Sequence, residues 1–109
     1  MGRTGEERAA ILTAESERLA ALLVKRGAVL VVVFGSVARG TVAPTSDLDM
    51  IAVIESDLPF IARLERLYHE LQPNVGLDLL VYTPREFEEM RVRSFVRQAL
   101  TEGKVLHAA

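Results

Sequence analysis

Leu12, Leu19, Leu22 and Leu23 recur at helical spacing and fall on one face of a segment that Gly27 stops. That pattern predicts an amphipathic helix at the start of the chain. Thr4 and Glu7 stand three residues apart near its beginning, the spacing of a capping box. The period then changes. Ala28–Phe34, AVLVVVF, is continuous and β-branched, as a strand covered on both faces would be. Leu48–Glu55, LDMIAVIE, predicts a second strand, and Val75–Tyr82, VGLDLLVY, a third. Between those two, Phe60, Ile61, Leu64, Leu67, Tyr68 and Leu71 keep a helical period. Pro59 suits its first turn, and Pro73 lies beyond its end. Thr83, Pro84 and Glu86 combine a cap, a proline at the first position and an acid at the third. The helix they open carries Phe87, Met90, Val96, Ala99 and Leu100 as far as Gly103, and KVLH (104–107) adds a short edge strand. The predicted order is α-β-β-α-β-α. It describes an α/β (α+β) sandwich in which helices pack on a small mixed sheet.

Composition narrows the class. At 109 residues the chain is expected to form a single domain, 1–109. Half of it is hydrophobic and 26% is charged, the balance of a globular protein rather than a disordered one. No apolar run approaches the ~18 residues needed to span a bilayer. The N-terminal MGRTGEERAA lacks the apolar core of a signal peptide, so the expected location is cytoplasmic, with no membrane partner. Without cysteine there are no disulfides or thiolate metal sites. A net charge of −2 and a pI near 5.7 argue against nucleic acid as a partner. No internal repeat or low-complexity tract interrupts the chain.

The candidate chemistry lies at the strand ends. Side chains on a strand alternate faces, so Asp47 and Asp49 point the same way. Two such carboxylates raise each other's pKa unless a cation lies between them, and hard oxygen ligands at this spacing suit Mg²⁺. Asp78 is an acid among Leu77, Leu79, Leu80 and Val81, a costly place for a charge without a purpose. If the third strand lies beside the second, three carboxylates could hold two metal ions ~3.5–4 Å apart, as in phosphoryl and nucleotidyl transfer. Gly35 and Ser36 follow directly on a strand. A glycine there lets backbone amides approach an anion closely, and the Ser36 hydroxyl can donate to a phosphate oxygen. Arg39 either contacts a phosphate or pairs with a carboxylate and braces the loop. Gly40 permits the turn back, and Thr41–Ser46 is a polar loop delivering Asp47.

Each feature has an ordinary structural reading beside it. Gly-Ser after a strand is commonly a turn, Asp-x-Asp a solvated strand end, and Asp78 could lie on an exposed face. The combination, each part at a strand junction, is what favours chemistry. Elsewhere Arg85, Arg91, Arg93 and Arg97 mix with Glu86, Glu88 and Glu89, as on a solvated helix face. His69 and His107 have no second ligand at metal spacing. Tyr68 fits a core pattern, and Tyr82 ends a strand.

Taken together, GSVARGTVAPTSDLDMIAV (35–53) resembles the signature of the minimal nucleotidyltransferases of the DNA polymerase β superfamily. That signature is Gly-Ser-x-Ala-Arg-Gly, a short spacer, Ser-Asp-x-Asp and an apolar strand. The match is close from Phe34 to Ile54, and the flanking elements fit the family's layout. The spacer TVAPT and Val37 depart from its common residues at positions that carry no chemistry. The resemblance implies a polymerase-β-like palm using ATP and two Mg²⁺ ions. Asp47, Asp49 and Asp78 would be the metal-binding and catalytic residues, with Asp78 helping to take the acceptor's proton. Gly35, Ser36, Arg39 and Ser46 would bind the nucleotide. Larger relatives add a helical acceptor domain that this chain lacks, which implies a partner protein. In the family that partner is a HEPN toxin, neutralised by transfer of AMP onto a tyrosine. Two alternatives stand: transfer to a small-molecule hydroxyl, with a partner chain supplying the acceptor site, and a non-catalytic antitoxin acting by binding alone. Self-association is a further expectation.

Overall fold

The computed structural model describes residues 5–109 in full and the backbone of Thr4. The capping box expected of Thr4 therefore lies outside the described side chains. The elements in order are α1 (Thr4–Lys25), β1 (Leu30–Phe34), α2 (Ser36–Arg39), β2 (Leu48–Val53), α3 (Phe60–Leu71), β3 (Leu77–Tyr82), α4 (Pro84–Met90), α5 (Ser94–Glu102) and β4 (Lys104–Ala108). The four strands make one mixed sheet in the order β3-β2-β1-β4. β2 and β3 run parallel, and both partners of β1 are antiparallel to it. The α/β architecture read from the sequence is the one observed. No described helix is long and apolar enough to cross a membrane.

Strand alternation divides the core into two halves. Val31 and Val33 of β1, and Leu48, Met50 and Ala52 of β2, face α1 and α3, where they meet Leu12, Leu19, Leu23, Leu67 and Leu71. Leu12, Leu19 and Leu23 are fully buried, each worth ~1.5–3 kcal/mol relative to exposure. Phe34, Ile51, Val53 and Tyr82 face the other way, toward Phe87, Val96 and Ala99 of α4 and α5. Asp49 shares that second face.

The sequence reading differed from the structure in three places, the first being α2 (Ser36–Arg39), which the predicted order did not include. One continuous last helix was expected, whereas α4 ends at Met90 and α5 begins at Ser94. The reason is phase. At 100° per residue, Val96 on an unbroken helix would lie about 180° from Phe87. Both are buried against the same sheet face, so the chain must break, and it turns at an exposed Val92 and an extended Arg93. Ile61 was counted on the apolar face of α3 but is 64% exposed.

Two side chains of α3 close the outer edge of β3. The Tyr68 hydroxyl donates to the Leu77 carbonyl and accepts from the Leu79 N–H. Further along, Arg63 is 3% exposed. It donates to Val81 O at 2.8 Å, to Leu58 O at 2.9 Å and to both carboxylate oxygens of Glu86. Glu86 also completes the Thr83 capping box predicted from the sequence. These bonds occupy the Leu77 O, Leu79 N and Val81 O groups of β3, to which another strand would otherwise pair.

Glu15 ties α1 to the end of α3. It is 6% exposed, and its carboxylate accepts two 2.7 Å bonds from Arg18 and one of 2.6 Å from the Asn74 N–H. Arg18 first, and Asn74 with it, outweigh burial and lower the carboxyl to about 2. A depressed folded-state pKa means the contribution is complete above the unfolded value of 4.5 and is lost as pH falls toward 2. Glu15→Gln should therefore flatten the acid side of the stability profile. It should also lower stability at neutral pH by about 2 kcal/mol, measured by thermal melts from pH 2 to 7.

Candidate active site

Asp49 occupies the point where three strands meet. In β2 it pairs with Phe34 of β1 on one side and Asp78 of β3 on the other. Paired residues in adjacent strands project to the same face, which sets the Asp49 and Asp78 carboxyl groups side by side. Burial, then the neighbouring Asp78 and Asp47, push the Asp49 carboxyl up to about 6, with Arg39 pulling the other way. The helices α4 and α5 cover the Ile51 and Val53 end of this face. The Asp49 end opens into a cleft of about 700 Å³, lined by Gly35, Arg39, Asp49, Asp78, Phe95 and Glu102 among others.

Gly35 sits directly over the carboxylate. Its φ is +72°, and a Cβ there would lie 2.2 Å from Asp49 Oδ2. Both facts demand glycine. Gly35→Ala must move either the loop or the carboxylate, and displacements of ~1 Å at a reacting centre cost about a hundredfold. We expect at least that loss of transfer, read in a nucleotide-release assay, with only a modest fall in melting temperature.

Asp47 stands just outside β2, with its side chain 57% exposed and Oδ1 4.0 Å from Arg8. It is held there by a second glycine. Leu48 N–H donates to Gly76 O at 2.9 Å, and a Cβ on Gly76 would meet Asp47 Oδ1 at 2.3 Å. Ser36 opens the single turn of α2, and its hydroxyl is buried without a hydrogen-bond partner among the described residues. The first amides of that turn have no intrahelical acceptor either. Arg39, at the other end of the turn, pairs with Glu102 of α5 at 3.0 Å. Of the two sequence readings of Arg39, the carboxylate partner is the contact the structure contains. The Ser46 hydroxyl accepts from Ala43 N–H at 2.8 Å, and Arg8 Nε donates to the Ser46 carbonyl at 3.0 Å. Both contacts shape the loop that delivers Asp47.

The fold thus brings Gly35, Arg39, Asp49 and Asp78 to one cleft, whereas Ser36, Ser46 and Asp47 are not part of its lining, Asp47 acting on Asp49 through its charge. Arg8, Phe95 and Glu102 were not singled out in the sequence. Arg8 and Glu102 act through partners far along the chain, which no local pattern announces. Phe95 had one signal, a large aromatic falling outside the buried period of Val96 and Ala99.

Among the described residues, no three His, Asp or Glu side chains converge closely enough to hold a metal ion by themselves, Asp47, Asp49 and Asp78 included. Mg²⁺ seldom needs that many, since one or two carboxylates, waters and substrate phosphates usually complete its octahedron. The donor set fits such an ion. Asp49 and Asp78 are hard oxygen ligands set in register on adjacent strands, and Gly35 and Gly76 leave room for the Asp49 and Asp47 carboxylates respectively.

The sequence from residue 17 to 107 matches the family model of the nucleotidyltransferase domain. The chain belongs to that family. A protein of Sulfolobus solfataricus described as a nucleotidyltransferase superposes with a TM-score of 0.64 at 19% identity, over 82% of each chain, a likeness of fold. The crystal structure of a toxin–antitoxin with AMP-PNP matches with a TM-score of 0.58 and 28% identity, covering 86% of this chain and 73% of that one. A mutant of the toxin–antitoxin MntA–HpeT, in which two aspartates two positions apart are replaced by glutamate, matches with a TM-score of 0.57. It is 26% identical over 86% of this chain and 73% of that one. A comparison with curated proteins found no match.

Proposed function

We propose that this protein is the antitoxin of a toxin–antitoxin pair and transfers AMP from ATP onto a hydroxyl of its partner, a tyrosine of a HEPN toxin. The observation that carries the transferase part is the in-register pairing of Asp49 and Asp78 on one sheet face, with Gly35 over the Asp49 carboxylate and beside it a buried Ser36 hydroxyl that has no partner among the described residues. A buried donor without an acceptor costs roughly 1–3 kcal/mol, and a phosphate oxygen would satisfy it. Asp47, Asp49 and Asp78 would hold the Mg²⁺ ions, whose charge would offset that developing on the phosphoryl oxygens and the leaving group.

The protein's own groups then have distinct tasks. Ser36 and the open amides of α2 hold the triphosphate, and Arg39 lies at the far end of the same turn. Asp78, exposed on the edge strand, accepts the proton of the attacking hydroxyl. The acceptor oxygen forms a bond to the α-phosphorus as the bond to the bridging α–β oxygen breaks, and pyrophosphate departs. The antitoxin part is supported by two neighbours that are toxin–antitoxins, one of them with AMP-PNP and the other carrying a doubly substituted aspartate pair.

The test is the intact mass of the partner protein after incubation with this one, ATP and Mg²⁺. Asp47→Asn/Asp49→Asn serves as the control. Addition of AMP only with the unmodified protein is the expected result. A stable complex whose partner gains no mass would instead support neutralisation by binding alone.

A further inference from the structure

We propose that Phe95 is the platform on which the base of the substrate nucleotide stacks, an inference that rests on the nucleotidyltransferase reading above. Phe95 is 62% exposed on a nine-residue helix whose buried face is made by Val96 and Ala99. Its ring is not loose. It stands perpendicular to Phe34, at 85° with centroids 5.9 Å apart, which anchors one part of the ring and leaves the rest open to the cleft. Phe34 immediately precedes Gly35 and pairs with Asp49 in the sheet. The open aromatic surface is therefore one residue removed from the carboxylate centre and lines the same cleft as Asp49, Asp78 and Arg39.

That placement selects a flat ligand attached to phosphates. On the transferase reading the phosphates lie toward Asp49 and Asp78, paired in register in the cleft wall, while Phe95 supplies the one large exposed aromatic surface in the cleft lining. A volume of about 700 Å³ falls within the ~300–1,000 Å³ usual for small-ligand sites. Stacking on a single ring tolerates any base, because every base has a π-face. Phe95 thus contributes affinity for the nucleoside part without choosing among the bases.

The chain contains no tryptophan, so Phe95→Trp introduces a unique fluorophore at the site. ATP with Mg²⁺ should quench it saturably, and inorganic tripolyphosphate with Mg²⁺ should not. Phe95→Leu keeps an apolar contact with Phe34 and removes the ring. It should weaken ATP binding at least about fivefold by calorimetry, leave tripolyphosphate binding unchanged, and melt close to the parent temperature. Phe95→Tyr should bind ATP like the parent. If Phe95→Leu binds ATP as tightly as the parent, or if the fluorophore responds equally to both probes, stacking is overturned while the transferase reading stands. A parent protein that binds neither ATP nor tripolyphosphate would overturn both.

Discussion

Asp49→Asn should abolish nucleotidyl transfer, by about a thousandfold or more, and at the same time make the metal-free protein harder to melt. The two effects have one origin. Asp49 lies between β1 and β3 with Asp78 beside it in register, and the raised carboxyl pKa records the strain of burial and of like charges. An asparagine keeps the shape and can hydrogen-bond to Asp78, but it is a poor partner for Mg²⁺ and leaves the phosphates without their counter-charge. Relieving about 1 kcal/mol of repulsion in a chain this size corresponds to a gain of roughly 5 °C. The measurement is a pair of thermal melts at neutral pH without metal, beside the partner-transfer assay. A variant that transfers normally would remove Asp49 from the site. One that melts well below the parent would show the carboxylate to be structural.

Arg63→Leu should have the largest effect on stability, about 3–5 kcal/mol, enough to lower the melting temperature by more than about 10 °C. The guanidinium is nearly fully buried and donates to the Val81 and Leu58 carbonyls and to Glu86. Leucine fills some of the volume and none of those bonds. The Glu86 carboxyl, held below its usual range by Arg63 first and the Thr83 amide second, also loses its main partner. Arg63→Lys restores the charge without the planar fork, so it should recover only a fraction. Denaturant melts would decide, since an Arg63→Leu midpoint near that of the parent contradicts this account.

The strands, the α3 helix and the Thr83 cap were legible because each is written in neighbouring residues. The site motif was legible for the same reason, since Gly35 through Asp49 is one continuous stretch. Asp78 was a reasoned placement, and the parallel pairing of β2 with β3 sets it beside Asp49. What escaped notice depends on partners distant in sequence. The turn between Met90 and Ser94 carries no glycine or proline, and only the opposed phases of Phe87 and Val96 foretell it. Arg63 follows Phe60 by three residues and precedes Leu67 by four, so it stands on the apolar stripe of α3. Glu15 and Glu102 were not singled out in the sequence, and the fold supplies their partners Asn74 and Arg39.

The strand order β3-β2-β1-β4 has a consequence for how the chain is made. β1 is made early, yet it is central, and one of its neighbours, β4, follows every other described element in the chain. Leu30 pairs with Ala108, a loop closure spanning most of the sequence, and such distant contacts form late. Until that closure forms, β1 keeps one bare edge, so the frame that holds Phe34 against Asp49 is completed only when Leu30 meets Ala108.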